Sequence, residues 1–172
     1  MIIAAYCGVG KSTFAAMNPQ KIVDFYAIPY KYFLDSDGDK GESGKANPYN
    51  VMRPDWPYNY VAAIQEICSE DKLILIPSDS WVLELLRKEE VPYILAYPQR
   101  DAKEVYHKRF VDRGNTEIFI STFIGCWDVF LDALEKDPCS RHIILHPYKE
   151  QTVACSSGTS IKPIDLALLC NA

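Results

Sequence analysis

The sequence predicts a three-layer α/β fold, in which helices cover both faces of a mainly parallel, five-stranded sheet. Three observations support this prediction. Five short apolar runs recur along the chain, helical periodicity fills the stretches between them, and a glycine-rich turn directly follows the first run. The chain has 172 residues, which is the size of a domain with one core. We therefore expect residues 1–172 to fold as a single domain.

The first apolar run, residues 1–4, leads into the sequence AYCGVGKST at residues 5–13, which we call the glycine loop. A strand followed by Gly-x-Gly-Lys-Ser is the layout of a phosphate-binding loop, because glycines let backbone N–H groups approach a polyphosphate. Lys11 is expected to reach the β- and γ-phosphates and Ser12 to ligate Mg²⁺. The predicted nucleotide-binding residues are Gly8, Val9, Gly10, Lys11, Ser12 and Thr13. The alternative is a glycine-rich turn that precedes Lys-Ser by chance.

The second apolar run, residues 21–25, carries Asp24 near its carboxyl end. In open parallel sheets ligands gather at the carboxyl ends of the strands. Asp24 is therefore a candidate catalytic residue that contacts Mg²⁺-bound water or an acceptor group, and the alternative is that it caps the following turn.

Residues 26–60 are predicted to form an insert on the acceptor side. Its polar centre, residues 35–45, has no apolar side chain except at its flanks and predicts a mobile loop. Around it, aromatic residues and Arg53 are candidates for an acceptor pocket, with Tyr26 and Trp56 beside the acceptor and Arg53 on a phosphate. The alternative is that the aromatic side chains pack a small helical insert.

The third run, residues 72–76, is continuously apolar, as in a strand buried on both faces. Asp79 follows it, either as a helix N-cap or as a second group assisting Mg²⁺ beside Ser12. After the fourth run, residues 91–97, a basic helix is predicted over 99–112, with Arg100 near its start as a further arginine of the predicted lid. Arg109 and Arg113 share one face there, so residues 98–115 form either a lid over the phosphates or a solvated surface.

In the rest of the chain, one long helix is predicted over 115–134. Its aromatic residues recur at helical spacing and are predicted to lie in the core. A fifth strand is predicted at 142–146. The formal net charge of −5 disfavours a sequence-independent nucleic-acid binder. Six cysteines lack metal-ligand spacing and predict reduced thiols. With no secretion signal and no apolar stretch of membrane-spanning length, we expect a cytoplasmic protein with no membrane partner.

Together, the glycine loop after the first strand, the aromatic insert after the second and the arginine-bearing helix before the last resemble P-loop kinases of the nucleoside monophosphate kinase group. The resemblance implies a P-loop fold, the cofactors ATP and Mg²⁺, and transfer of the γ-phosphate to a small acceptor, a nucleotide or a nucleoside. It also implies that Lys11, Arg109 and Arg113 are electrostatic catalysts and that Arg53 anchors the acceptor. Ala5, which replaces the first glycine of the motif, departs from the pattern, as does the absence of an acidic residue in 73–76.

Two other functions remain open at this point. The chain could be a nucleotide-binding module that hydrolyses slowly and acts through a protein partner, or a kinase of nucleic-acid ends, which the acidic balance disfavours. A kinase needs an acceptor pocket beside the γ-phosphate, and residues 26–60 are long enough to supply one.

Overall fold

The computed structural model describes residues 1–33, 51–68, 72–139 and 141–146. The predicted mobile loop, residues 35–45, lies outside the described residues, as does everything after residue 146. No helix in the described ranges is long and apolar enough to cross a membrane.

The five predicted strands are present and form one sheet in which every neighbouring pair is parallel. They are β1 (Ile2–Ala5), β2 (Ile22–Asp24), β3 (Leu73–Pro77), β4 (Ile94–Pro98) and β5 (Arg141–Leu145). Their order is β2-β3-β1-β4-β5, so β1 is central: Ala4 lies beside Ile76 of β3 and Leu95 of β4. The predicted α/β class is confirmed, and the sheet is parallel throughout its described strands. The carboxyl ends of all five strands therefore lie at one edge.

The helices in the described ranges are α1 (Lys11–Met17), α2 (Ile28–Lys31), α3 (Tyr58–Ile67), α4 (Ser80–Lys88), α5 (Lys103–Asp112), α6 (Glu117–Gly125) and α7 (Trp127–Glu135), with a short 3₁₀ helix at Arg100–Ala102. The connection from β1 to β2 crosses the sheet in the opposite direction from the later connections. Because such parallel crossovers are right-handed, α1 covers one face of the sheet and α3 to α7 cover the other.

The long helix predicted over 115–134 is two helices, α6 and α7. Cys126, between them, has φ −97° and ψ 21°, outside the helical region, and it follows Gly125, a weak helix former. The break lets Trp127 turn into the core, where it is fully buried and its indole Nε1 donates to the Arg100 carbonyl over 3.0 Å. The Trp127 ring meets the Tyr6 ring edge to face, with centroids 5.5 Å apart. The core therefore extends to Tyr6, the second residue of the glycine loop.

Candidate nucleotide-binding site

The glycine loop forms the turn between β1 and α1. Gly8 and Gly10 have φ of 77° and 96°, in the left-handed region that favours glycine, and α1 begins at the next residue, Lys11. Ala5, by contrast, is the last residue of β1 and is extended, a conformation that a residue with a Cβ adopts without strain. The strand–turn–helix arrangement that the motif predicts is therefore present, and the substitution at Ala5 leaves it intact.

Gly8 is also held in place by its neighbours. A Cβ built on Gly8 would lie 2.6 Å from Cε1 of Phe110, a ring that is fully buried. The loop thus packs directly against α5. Glycine is required at position 8 because the backbone there is left-handed and because the Phe110 ring occupies the place of a Cβ.

We expect Gly8→Ala to destabilise the protein by about 2–4 kcal/mol, the sum of left-handed strain and overpacking. Gly114 is the matched control because its φ is 69° but a Cβ there meets nothing within 4 Å. Gly114→Ala should therefore cost about 1 kcal/mol, the strain alone. Urea unfolding of both variants measures the difference, and equal losses would show that the contact with Phe110 imposes no constraint.

Lys11 lies beneath the glycine loop. Its Nζ donates to the carbonyls of Ala5, over 2.9 Å, and of Tyr6, over 3.0 Å. Burial lowers the pKa of this ammonium group, and Cys7 and Asp24 oppose the shift. An ammonium in such surroundings is poorly solvated, so an anion placed on it is bound more strongly than it would be at the surface.

The side chains of Ser12, in the first turn of α1, and Asp24, at the end of β2, are in contact. The Ser12 hydroxyl donates to Oδ2 of Asp24 over 2.5 Å, which brings the predicted metal ligand and the acidic end of β2 together. A hydroxyl and a carboxylate side by side are the oxygen donors that Mg²⁺ uses in nucleotide sites, where phosphates and water fill the other positions. The pair therefore fits Mg²⁺ bound with a nucleotide. No group of three or more His, Cys, Asp or Glu side chains suited to holding a metal by itself occurs among the described residues.

Asp79 is engaged elsewhere. Its carboxylate accepts the Trp81 amide, at 3.1 Å, and is therefore the N-cap of α4, one of its two predicted roles. Its other oxygen accepts from Nζ of Lys31 over 2.7 Å. The structure thus pairs Ser12 with Asp24 and pairs Asp79 with Lys31, which favours Asp24 as the carboxylate beside Mg²⁺.

A cavity of about 540 Å³ opens over the glycine loop. Its wall includes Gly8, Gly10, Lys11, Ser12 and Thr13, five of the six predicted nucleotide-binding residues. The sixth, Val9, is 1% exposed, packs into the core and does not line this cavity. Tyr26, predicted to lie beside the acceptor, lines this cavity, as do Arg113 and Phe119.

The two predicted lid arginines differ in their surroundings. Arg113, at the end of α5, lines the cavity, whereas the Arg109 guanidinium lies 4.8 Å from the Tyr106 ring centroid with Nη1 3.5 Å from the Gly8 carbonyl. Tyr106 and Phe110 are fully buried, so α5 is anchored to the core. A swing of the whole helix would expose both rings, and movement of the arginine side chains is therefore the more economical way to reach a phosphate.

Arg100, the third arginine of the predicted lid, faces α7. Its guanidinium bonds Glu135 with Nη2 at 2.7 Å from Oε2, and it also bonds Asp132. This group ties the start of the 3₁₀ helix to α7 at the surface and has no place in the cavity.

Neither Arg53 nor Trp56 lines the cavity over the loop. Arg53 donates to both carboxylate oxygens of Asp55 over 3.1 Å, and its guanidinium stacks on Phe33 at 5.1 Å. Trp56 is 5% exposed and packs on Tyr60, with ring centroids 5.4 Å apart. For Trp56 the structure agrees with the alternative prediction, in which the aromatic residues of this segment pack one another.

Sequence reasoning missed Cys7 and Lys31. Cys7 lines the cavity over the glycine loop and also a second one of about 630 Å³, which has Lys31 in its wall. One signal could have indicated Lys31: it is the single charged residue in the aromatic run 25–33. No family model matches the chain, and no curated protein is significantly similar to it.

Proposed function

We propose that the protein is an ATP-dependent phosphotransferase that transfers the γ-phosphoryl group to a small acceptor, a nucleotide or a nucleoside. One observation carries the proposal: Lys11, Ser12 and Arg113 line a single cavity over a loop with two left-handed glycines, and Asp24 is bonded to Ser12. Positive groups converge there on a space suited to a polyphosphate, with an oxygen pair suited to Mg²⁺ beside it.

In this reaction an acceptor oxygen bonds the γ-phosphorus while the bond from that phosphorus to the β–γ bridging oxygen breaks, and ADP leaves with the electron pair. Where the acceptor is a hydroxyl, its proton passes through water to the Asp24 carboxylate and from there to solvent. Lys11 and Arg113 hold the phosphate oxygens as their charge redistributes. Ser12 would hold Mg²⁺ with Asp24 beside it, and the metal would supply further neutralisation of phosphate charge.

A screen of ADP formation from MgATP tests the proposal, with nucleosides, nucleoside monophosphates and small hydroxyl metabolites as acceptors. We expect at least one acceptor to stimulate ADP formation and to appear as its phosphorylated product by mass spectrometry. If ATP binds and is hydrolysed at one slow rate whatever acceptor is present, the chain is a nucleotide-binding module. If ATP does not bind, the proposal is wrong.

A further inference from the structure

The second cavity lies on the face of the sheet that carries α4 and α7. Leu83 of α4 and Ala133 and Leu134 of α7 contribute to its wall, and Pro77, at the end of β3, lies at its base. Its volume of about 630 Å³ is within the range of small-molecule sites, roughly 300–1,000 Å³. It is large enough to hold a small ligand and is built from regular secondary structure, so its shape is largely fixed.

This cavity adjoins the nucleotide cavity. Cys7, the residue before Gly8, contributes to the walls of both. A molecule seated between α4 and α7 with one end at Cys7 would therefore lie next to the nucleotide cavity. Direct transfer between two bound substrates requires neighbouring sites of this kind.

Among the described residues, the charged side chains in the wall of the second cavity occur as two complete ion pairs. Lys31 bonds Asp79 over 2.7 Å, and Arg87 bonds Asp137, which also accepts from the Tyr93 hydroxyl over 2.8 Å. A phosphate group is recognised by arginine or lysine whose charge is available to it, and here each cation already has its own carboxylate.

The thiol of Cys7, the residue shared by the walls of the two cavities, is uncharged as well. Burial raises the pKa of the Cys7 thiol to about 12, so Cys7 is protonated at neutral pH. The cavity therefore presents paired charges and a neutral thiol, which suits an uncharged ligand better than a phosphorylated one.

One wall of the cavity is aromatic. Phe123 and Phe130 stack with their centroids 5.4 Å apart, and both meet the Tyr6 ring edge to face, at 6.0 and 6.4 Å. All three residues line the cavity. Aromatic surfaces of this kind accept planar rings, including nucleobases, irrespective of their hydrogen-bonding pattern.

We infer that the second cavity is the acceptor site and that its acceptor is an uncharged nucleoside, with the base against the aromatic wall and a hydroxyl directed towards Cys7. The inference rests on the proposed function, and it selects the nucleoside over the nucleotide. The Lys31–Asp79 pair, as donor and acceptor, is placed to bind sugar hydroxyls.

Calorimetric titration without ATP tests the inference, using adenosine, guanosine, cytidine, uridine and thymidine and their 5′-monophosphates. We expect at least one nucleoside to bind about tenfold or more tightly than its monophosphate, because a phosphate would be desolvated without a free cation. If no nucleoside binds, or if the monophosphates bind more tightly in the cavity, the inference is overturned. Absence of ATP binding, measured separately, would refute the proposed function, and nucleoside binding in the cavity would then stand without a role in phosphoryl transfer.

Two alanine-to-tryptophan variants locate the binding. Ala133 is exposed on α7 and lines the cavity, so Ala133→Trp should weaken nucleoside binding about five- to 150-fold, the loss expected when a base cannot stack, and leave ATP binding unchanged. Ala62, exposed on α3 and not in the cavity wall, is the control, and Ala62→Trp should change neither affinity. Monophosphate binding that persists in Ala133→Trp belongs to the glycine loop. Equal nucleoside binding by both variants would overturn the inference.

A variant that removes one carboxylate charge tests whether the paired charges make the second cavity disfavour phosphorylated ligands. Asp79→Asn keeps an N-cap on α4 but removes the charge that neutralises Lys31, so the variant should fold. We expect the ratio of monophosphate to nucleoside affinity to rise by about tenfold, because the Lys31 ammonium is then available to phosphate. An unchanged ratio would show that paired charge does not select the acceptor and would overturn this part of the inference.

Discussion

Replacing Lys11 with alanine is expected to abolish most ATP-dependent turnover while leaving the fold intact. Loss of a charge-assisted contact should weaken ATP binding by about 10- to 100-fold, and loss of a preorganised donor should lower kcat by about 10²–10³-fold. The Ala5 and Tyr6 carbonyls that accept from Lys11 in the structure would lose a partner, at a cost of about 1 kcal/mol. The effect on function therefore far exceeds the effect on stability.

The measurement combines ATP titration, turnover with the acceptor found by the screen, and urea unfolding. Lys21 is exposed just before β2, at the amino-terminal edge of the sheet, and Lys21→Ala provides a control that removes an equal charge away from the glycine loop. It should behave as the parent protein does. Parental turnover in Lys11→Ala would refute the assignment of the glycine loop to phosphate, whereas a large loss of stability would show that Lys11 is a structural residue.

The strands and the loop could be predicted from sequence because their signals are local. The apolar runs of β1 and β3 are buried on both faces, and Gly8 and Gly10 mark the positions within the glycine loop where the backbone is left-handed. The proximity of Asp24 to Ser12 is consistent with the same reasoning, since both follow the carboxyl ends of parallel strands. The strand order could not be predicted from these local patterns, because it depends on contacts between segments that are distant in the chain.

The partners of individual side chains were harder to predict than the backbone elements. Arg53 was predicted to anchor an acceptor, but Asp55 lies two residues away and binds its guanidinium in a bidentate pair. Arg100 was grouped with the lid from its place in a basic helix, but the break at Cys126 turns α7 towards it and supplies three carboxylates. The cavity between α4 and α7 had no sequence signal, because its wall comes from segments far apart in the chain.

Arg113→Ala is expected to lower kcat by about 10³-fold and to change the ATP dissociation constant little. Arg113 lines the nucleotide cavity from the end of α5, where its side chain is exposed and free to follow the phosphates, so its contacts should strengthen as charge develops on the phosphoryl oxygens. Arg109 already contacts the Gly8 carbonyl and the Tyr106 ring. Arg109→Ala should therefore lower kcat and also weaken ATP binding, because it loosens the loop.

Single-turnover rates and ATP dissociation constants separate these effects, with Lys108→Ala as the control. Lys108 lies on α5 too, is 76% exposed and pairs with Asp112, so its removal takes the same charge from the same helix without touching the cavity. An exposed pair of this kind contributes about 0.3–0.5 kcal/mol, and turnover should stay at the parental rate. If Arg113→Ala also turns over at that rate, α5 presents a solvated surface. If Arg113→Ala weakens ATP binding alone, the arginine stabilises bound substrate, and the stabilisation of the transition state must come from Lys11 and the metal site.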